Sequence, residues 1–386
     1  MVKDIKFHIK DFGPISKADI DIKPLTVFIG KNNTGKSYAA LLLYSLMKAV
    51  EVSRRKRYQY EQMELEKYIK NSITRQIERV FDNPLKEMIN KNSKDTYLQF
   101  SIMKNDKGYT FSFSEGESTI QLYDNIELDD LIFFKHIVLL PSSRSGILHT
   151  YRIIAADIIA EKLIYLTEID LTKEYPLYGG IADFIHLLLK YENTGVKNNE
   201  SLLDMFEEIV GGNFIIKDDK LYFRDKQYMI SLEVSKASSG IQELVPLYLV
   251  IKHFKLDDLL LIIEEPEAHL HPKLITDLAR ILALLIRRGA YILITTHSDY
   301  LLSELNLLIK LSKIDKDTKI KLGYKEEEYL KPYEVSAYLF EYSQEYKSVS
   351  PTKLKVGKKG IPEDEFTTVV NEISNKYVKV DIYESK

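Results

Sequence analysis

Four short stretches of almost unbroken apolar residues stand out along the chain, at 25–29, 137–140, 259–263 and 291–295. Each has the length of a strand, and strands that are apolar at every position belong to a sheet covered on both faces. Elsewhere apolar residues recur at helical spacing, from Ser37 to about Val52 and again over 240–254 and 271–288. Apolar strands alternating with helices predict an α/β fold built on a mostly parallel sheet. A second pattern runs through 2–10 and 16–22, where polar and apolar positions alternate around the turn Asp11-Phe12-Gly13-Pro14. It returns in bursts over 97–123, such as Tyr109-Thr110-Phe111-Ser112-Phe113, and predicts antiparallel strands. Residues 56–92 read as charged helix with a break at Asn83-Pro84, 150–210 as mostly helix, and 213–223 and 229–234 as strands. Beyond about 320 the pattern assigns no element.

Composition narrows the class. Of 386 residues, 45% are hydrophobic and 29% charged, the balance of a soluble globular chain. No apolar run is long enough for a membrane helix, and the start Met-Val-Lys-Asp-Ile-Lys-Phe lacks the apolar stretch of a secretory signal, so a cytoplasmic location is expected. Cysteine is absent, which excludes disulfides, thiolate metal sites and cysteine nucleophiles. With a net charge of −3, any hold on DNA has to come from a local basic patch. Candidates are Arg54-Arg55-Lys56-Arg57, Arg287-Arg288 and the lysines of 353–359.

The chemistry begins where the first apolar strand ends. Gly30-Lys31-Asn32-Asn33-Thr34-Gly35-Lys36-Ser37 satisfies G-x-x-x-x-G-K-[ST] in full, between a strand and a helix. Gly30 and Gly35 let the backbone curl so that the N–H groups of Asn32, Asn33, Thr34 and their neighbours face a phosphate chain at a helix N-terminus. Lys36 is expected to reach the β- and γ-phosphates, and the Ser37 hydroxyl to hold Mg²⁺. The strand at 259–263 ends in Glu264-Glu265-Pro266-Glu267. Carboxylates at the C-terminal end of a parallel strand face the ligand crevice, so Glu264 is assigned to the metal and Glu265 to the attacking water. The strand at 291–295 ends in Thr296-His297-Ser298. The roughly 30 residues from Glu265 to His297 suffice for one crossover helix, which returns the chain to the same sheet edge. There His297 could bond the γ-phosphate or the water. Ala237-Ser238-Ser239-Gly240 reads by itself as an ordinary helix N-cap.

Taken in order and spacing, these four motifs resemble the head of ABC-type ATPases, within the soluble branch of SMC, RecF and the overcoming-lysogenisation ATPases. Asn at the third loop position, Ile9-Lys10-Asp11-Phe12-Gly13-Pro14-Ile15 and Glu264-Glu265-Pro266-Glu267-Ala268-His269-Leu270-His271-Pro272 carry that likeness. It implies ATP and Mg²⁺ as ligands and a head-to-tail homodimer in which Ser238 and Gly240 close on the γ-phosphate held by the other copy's Lys36. It further implies an ATPase lobe formed by 1–140 and 257–386, a helical lobe with the signature turn at 141–256, and a partner-contacting loop at Glu267–Pro272. Arg144, where the chain enters the helical lobe, is a candidate phosphate or interface sensor. The chain departs from the pattern in its unpaired signature glycine, in Glu264 where the wider family has Asp, and in lacking a glutamine loop; Gln76 and Gln121 are candidates by type alone.

The roughly 100 positions between Ile132 and Ser238 leave no room for a long coiled coil. Asp315-Lys316-Asp317 fits the Asp-x-Asp of nuclease metal sites but reads as a solvated loop, so nuclease activity is expected in a partner chain. The leading expectation is a dimeric ATP-driven switch in DNA maintenance or anti-phage defence. The alternatives are the ATP-binding subunit of a membrane transporter and a non-hydrolysing nucleotide sensor.

Overall fold

The computed structural model describes residues 3–54, 62–92, 97–105, 107–114, 116–123, 128–151, 179–191, 199–217, 220–362 and Lys376. Most of the basic run at 54–57, residues 152–178 of the predicted helical stretch and nearly all of the chain beyond 362 lie outside the described residues.

The chain opens with the hairpin β1 (Ile5–Phe12) and β2 (Ile15–Ile22), then passes through β3 (Leu25–Ile29) into α1 (Lys36–Arg54) and α2 (Gln62–Phe81). It continues through β4 (Tyr97–Lys104), β5 (Lys107–Ser114) and β6 (Glu117–Leu122) to β7 (His136–Leu140). Helices α3 (Gly179–Tyr191) and α4 (Glu200–Val210) precede β8 (Gly212–Lys217), β9 (Lys220–Asp225) and β10 (Ser231–Glu233). Next come α5 (Ser239–His253), β11 (Leu259–Glu264), α6 (Pro272–Arg287), β12 (Tyr291–Thr296), α7 (Asp299–Leu311) and α8 (Lys316–Lys321). The last described strands are β13 (Val335–Leu339), β14 (Tyr342–Ser343), β15 (Ser348–Val349) and β16 (Thr352–Leu354).

The central sheet has the order β16-β13-β3-β12-β11-β7, parallel except for β16. A largely antiparallel sheet, β14-β15-β2-β1-β4-β5-β6, lies over one face, and β10-β9-β8 form a third, small sheet. The fold is thus α/β, a parallel P-loop sheet with an antiparallel subdomain. The unbroken apolar runs have a direct cause, because alternate side chains of each central strand enter different cores. Leu259, Leu261, Ile263, Ile292, Ile294, Val138 and Leu140 join the helices α3 to α7 on one side. Leu260, Ile262, Tyr291, Leu293, Ile137 and Leu139 meet α1 and the antiparallel sheet on the other. With both faces wanting hydrocarbon, a polar residue enters these strands only where its hydrogen bonds are met inside, as for the Thr26 hydroxyl on the Lys23 carbonyl.

The stretch beyond 320 supplies β13, which pairs in parallel with β3 from Val335↔Leu25 to Leu339↔Ile29. Sequence pattern misses it because Ser336 and Ala337 interrupt a five-residue run. Ser336 is nonetheless buried, and its hydroxyl donates to the Asp21 carbonyl at 2.8 Å. Asp315-Lys316-Asp317, expected as a loop, instead opens α8, with Asp315 capping Thr318 N–H at 3.0 Å. A six-residue helix can start there because the Asp315 side chain supplies the acceptor that the Thr318 N–H lacks within the helix. Among the described residues no helix is long and apolar enough to cross a membrane.

Candidate active site

Because β3, β12, β11 and β7 run parallel, the chain segments leaving their C-terminal ends collect at one sheet edge. Registers place Ile29 beside Thr296, Thr295 beside Glu264 and Ile263 beside Leu140. The glycine-bounded loop leaves β3 here and surrounds a cavity of about 410 Å³. Its walls are Pro14, the loop from Asn32 to Ser37, Tyr38 and Glu265.

The loop is held by its own chemistry. Lys36 Nζ donates to the carbonyls of Gly30 and Lys31, each at 2.6 Å, and Thr34 Oγ1 donates to the Lys31 carbonyl at 2.8 Å. Burial pulls the Lys36 ammonium below its ordinary pKa, opposed by the charges of Glu265 and Glu267. Gly30 has φ +143°, and a Cβ there would stand 2.3 Å from the Phe340 carbonyl just past β13. Neither the dihedral nor the space admits a side chain. Gly30→Ala is therefore expected to lower stability by about 2–5 kcal/mol from backbone strain and overpacking together, read from chemical denaturation midpoints.

Glu264 and Glu265 part company at the end of β11. Glu264 is buried, and its carboxylate accepts a hydrogen bond from Ser37. Burial first, then the neighbouring Glu265 charge, raises its pKa, while Ser37 and Arg144 act the other way. Ser37 Oγ and the Glu264 carboxylate thus form a pair of hard oxygen donors, which fits Mg²⁺ completed by phosphate oxygens and water. Glu265 turns outward into the cavity from a left-handed backbone, φ +42°, its N–H donating to the Thr295 carbonyl at 3.0 Å.

His297 stands beside this pair, Nδ1 3.8 Å from Glu265 Oε1 and 3.9 Å from Glu267 Oε1. Glu267, expected on a partner-contacting loop, is buried and faces inward. Its Oε1 accepts from Thr296 Oγ1 at 2.6 Å and from the His297 N–H at 3.0 Å, which fixes the segment that carries the imidazole. His269 and His271 of the same stretch are exposed.

Arg144 departs from the sensor expected of it. It is 1% exposed and is not part of the cavity wall, and its charge is engaged by Glu243 and backbone carbonyls. Ser238 and Gly240 lie outside the cavity wall: Ser238 is exposed at the start of α5 and its hydroxyl makes no capping bond. Gln76 is buried on α2 and Gln121 exposed on β6, neither of them in the cavity wall. Two lining residues escaped the sequence reading. Tyr38 is 39% exposed, and its ring packs on Gly13 and between Phe12 and Phe81. An aromatic directly after Ser37, at a helix position facing away from the core, was the available signal; Pro14 gave none.

Comparison with known proteins identifies the family. The family described as AAA ATPase domain matches residues 5–132 and 150–302. Among curated proteins none matches the chain. Among solved structures, the SMC head bound to the C-winged helix domain of ScpA is similar with a TM-score of 0.50 at 12% identity, over 92% of this chain and 98% of that one. The SMC head domain from Thermotoga maritima follows at TM-score 0.45 and 13% identity, over 92% and 100%. The Smc head with an extended coiled coil bound to the C-terminal domain of ScpA, from Pyrococcus furiosus, stands at 0.45 and 12%, over 97% and 100%.

Proposed function

Because the chain belongs to the AAA ATPase domain family, we propose that it binds ATP with Mg²⁺ at the Gly30–Ser37 loop and hydrolyses it, closing two copies head to tail while ATP is held. The observation that carries this reading is the meeting of loop, carboxylates and imidazole at one edge of the sheet. In this account the N–H groups of Asn32 to Ser37 and the Lys36 ammonium bind the phosphates, Lys36 exchanging its loop carbonyls for phosphate oxygens. Tyr38 and Pro14 offer the nucleoside an apolar wall. Ser37 and Glu264 would hold Mg²⁺, whose charge offsets that developing on the phosphates. Glu265 orients and deprotonates the water, and His297, placed by Glu267, donates to the γ-phosphate or to that water.

In the closed pair, Ser238, Gly240 and the exposed start of α5 supply the partner's γ-phosphate with hydroxyl and N–H donors. Binding of ATP then favours the closed state by its differential affinity, and cleavage removes that bias. The setting we infer from the sequence resemblance is DNA maintenance or anti-phage defence with an effector such as a nuclease in another chain. A cationic DNA surface at Arg287-Arg288 gains little support, since Arg287 pairs with Glu334 and Arg288 with Glu327.

Light scattering tests the switch. A slowly cleaved ATP analogue with Mg²⁺ is expected to convert monomer to dimer, and Ser238→Arg to stay monomeric while still binding the analogue. A chain that keeps one mass with and without nucleotide contradicts the reading.

A further inference from the structure

Arg144 is the largest of the fully buried side chains among the described residues. Its guanidinium reaches three backbone carbonyls. One terminal nitrogen donates to Pro141 at 2.8 Å and Glu264 at 2.7 Å, and the other donates to Glu265 at 3.1 Å. Its Nε lies 2.7 Å from Glu243 Oε2, on a carboxylate with no solvent exposure. The other oxygen of Glu243 accepts the Ser145 N–H at 3.2 Å and meets His269 Nδ1 at 3.1 Å.

A buried ion pair is weak evidence of stability, because hydrocarbon of the same volume often serves as well. What this pair joins is more telling. Glu243 sits in the second turn of α5, directly behind the exposed Ser238–Gly240 turn. Arg144 grips the peptide units of Glu264 and Glu265 at the end of β11. Glu265 holds a left-handed φ that a non-glycine residue adopts only when its surroundings impose it. Its N–H is fixed by Thr295 on β12, and its carbonyl accepts both the Ala268 N–H at 3.0 Å and the Arg144 guanidinium at 3.1 Å. Arg144 is thus the one side chain among these ties that links the Glu265 backbone to another helix, through Glu243.

We propose that Arg144 and Glu243 are positioning residues for hydrolysis, a buried link through which the helix behind the Ser238–Gly240 turn sets the backbone that aims Glu265. The link rests on the ATPase reading above and adds a route within one chain. Seating α5 against a partner's nucleotide moves Glu243, and Arg144 carries that displacement to the chain's own Glu265. The phosphate grip does not run through this link, since the side chains of Thr34 and Lys36 bond to the loop's own carbonyls and not to Arg144 or Glu243.

The test compares Arg144→Met, Arg144→Lys and Glu243→Gln with the unaltered protein in three measurements: thermal midpoint, affinity for a fluorescent ATP analogue with Mg²⁺, and single-turnover hydrolysis at saturating ATP. Affinity is expected to stay within about threefold. Hydrolysis is expected to fall about 100-fold in Arg144→Met and Glu243→Gln, the loss typical of a catalytic group displaced by an ångström from afar. Arg144→Lys, which keeps the charge but not the fork of donors, should recover part of the rate. Should Arg144→Met fail to fold, Glu243→Gln decides, because it keeps volume and shape. Hydrolysis within threefold of the unaltered protein in a folded variant overturns the link, as does a parallel loss of affinity and rate. An unaltered protein that binds ATP and never cleaves it overturns the ATPase reading and the link with it, whereas normal turnover beside unaffected variants removes the link alone.

Discussion

Glu265→Gln is expected to leave ATP bound and to slow its cleavage by about 100- to 10,000-fold, the range of a lost general base. The amide has nearly the volume of the carboxylate, so the left-handed backbone and its bonds to Thr295 and Arg144 persist. Only the proton acceptor on the cavity wall is removed. The variant should also accumulate as a long-lived dimer in ATP, because the bound triphosphate is no longer consumed. Phosphate release under single-turnover conditions reads the first effect and light scattering with ordinary ATP the second. Turnover within tenfold of the unaltered protein would hand the role of base to another group, and His297, within 4 Å of both Glu265 and Glu267, is the neighbour to examine next.

Lys36→Ala acts one step earlier, on binding itself. A hydrogen bond to a charged group is worth about 1.5–3 kcal/mol, so losing the ammonium is expected to weaken ATP binding by roughly 10- to 150-fold. In the nucleotide-free protein the same ammonium bridges the Gly30 and Lys31 carbonyls. The loop thus loses its internal tie as well, and the loss of affinity should exceed that of Lys36→Arg, which keeps the charge. Titration with a fluorescent ATP analogue checks both variants. Unchanged affinity in Lys36→Ala would place the nucleotide elsewhere.

The sheet and its edge were legible because the physics behind them is local. A strand buried on both faces is apolar at nearly every position, and 259–263 and 291–294 advertise that without ambiguity. The phosphate loop is equally open to reading, since a backbone that binds anions through its N–H groups needs glycine at fixed places, and Gly30 cannot be replaced where it meets Phe340. What stayed hidden depends on partners distant in the chain. Arg144 looks like any cation at a lobe boundary until Glu243, about 100 positions on, takes up its charge. Glu267 sits in a stretch that the family resemblance placed at an interface, yet its carboxylate serves the Thr296–His297 backbone of its own chain. β13 was unreadable for a third reason: a short strand wedged beside another can use Ser and Ala where Thr26 and Asp21 accept its hydroxyl.

That strand carries a consequence for biogenesis. β3 emerges from the ribosome early, but its outer neighbour, and the Phe340 N–H that donates to the Ile29 carbonyl at 2.7 Å, arrive some 300 residues later. Contacts of such long sequence separation form slowly. A nascent chain paused before residue 335 would hold the nucleotide loop with one flank of its strand bare, a sticky edge that invites chaperone capture or mispairing until synthesis catches up.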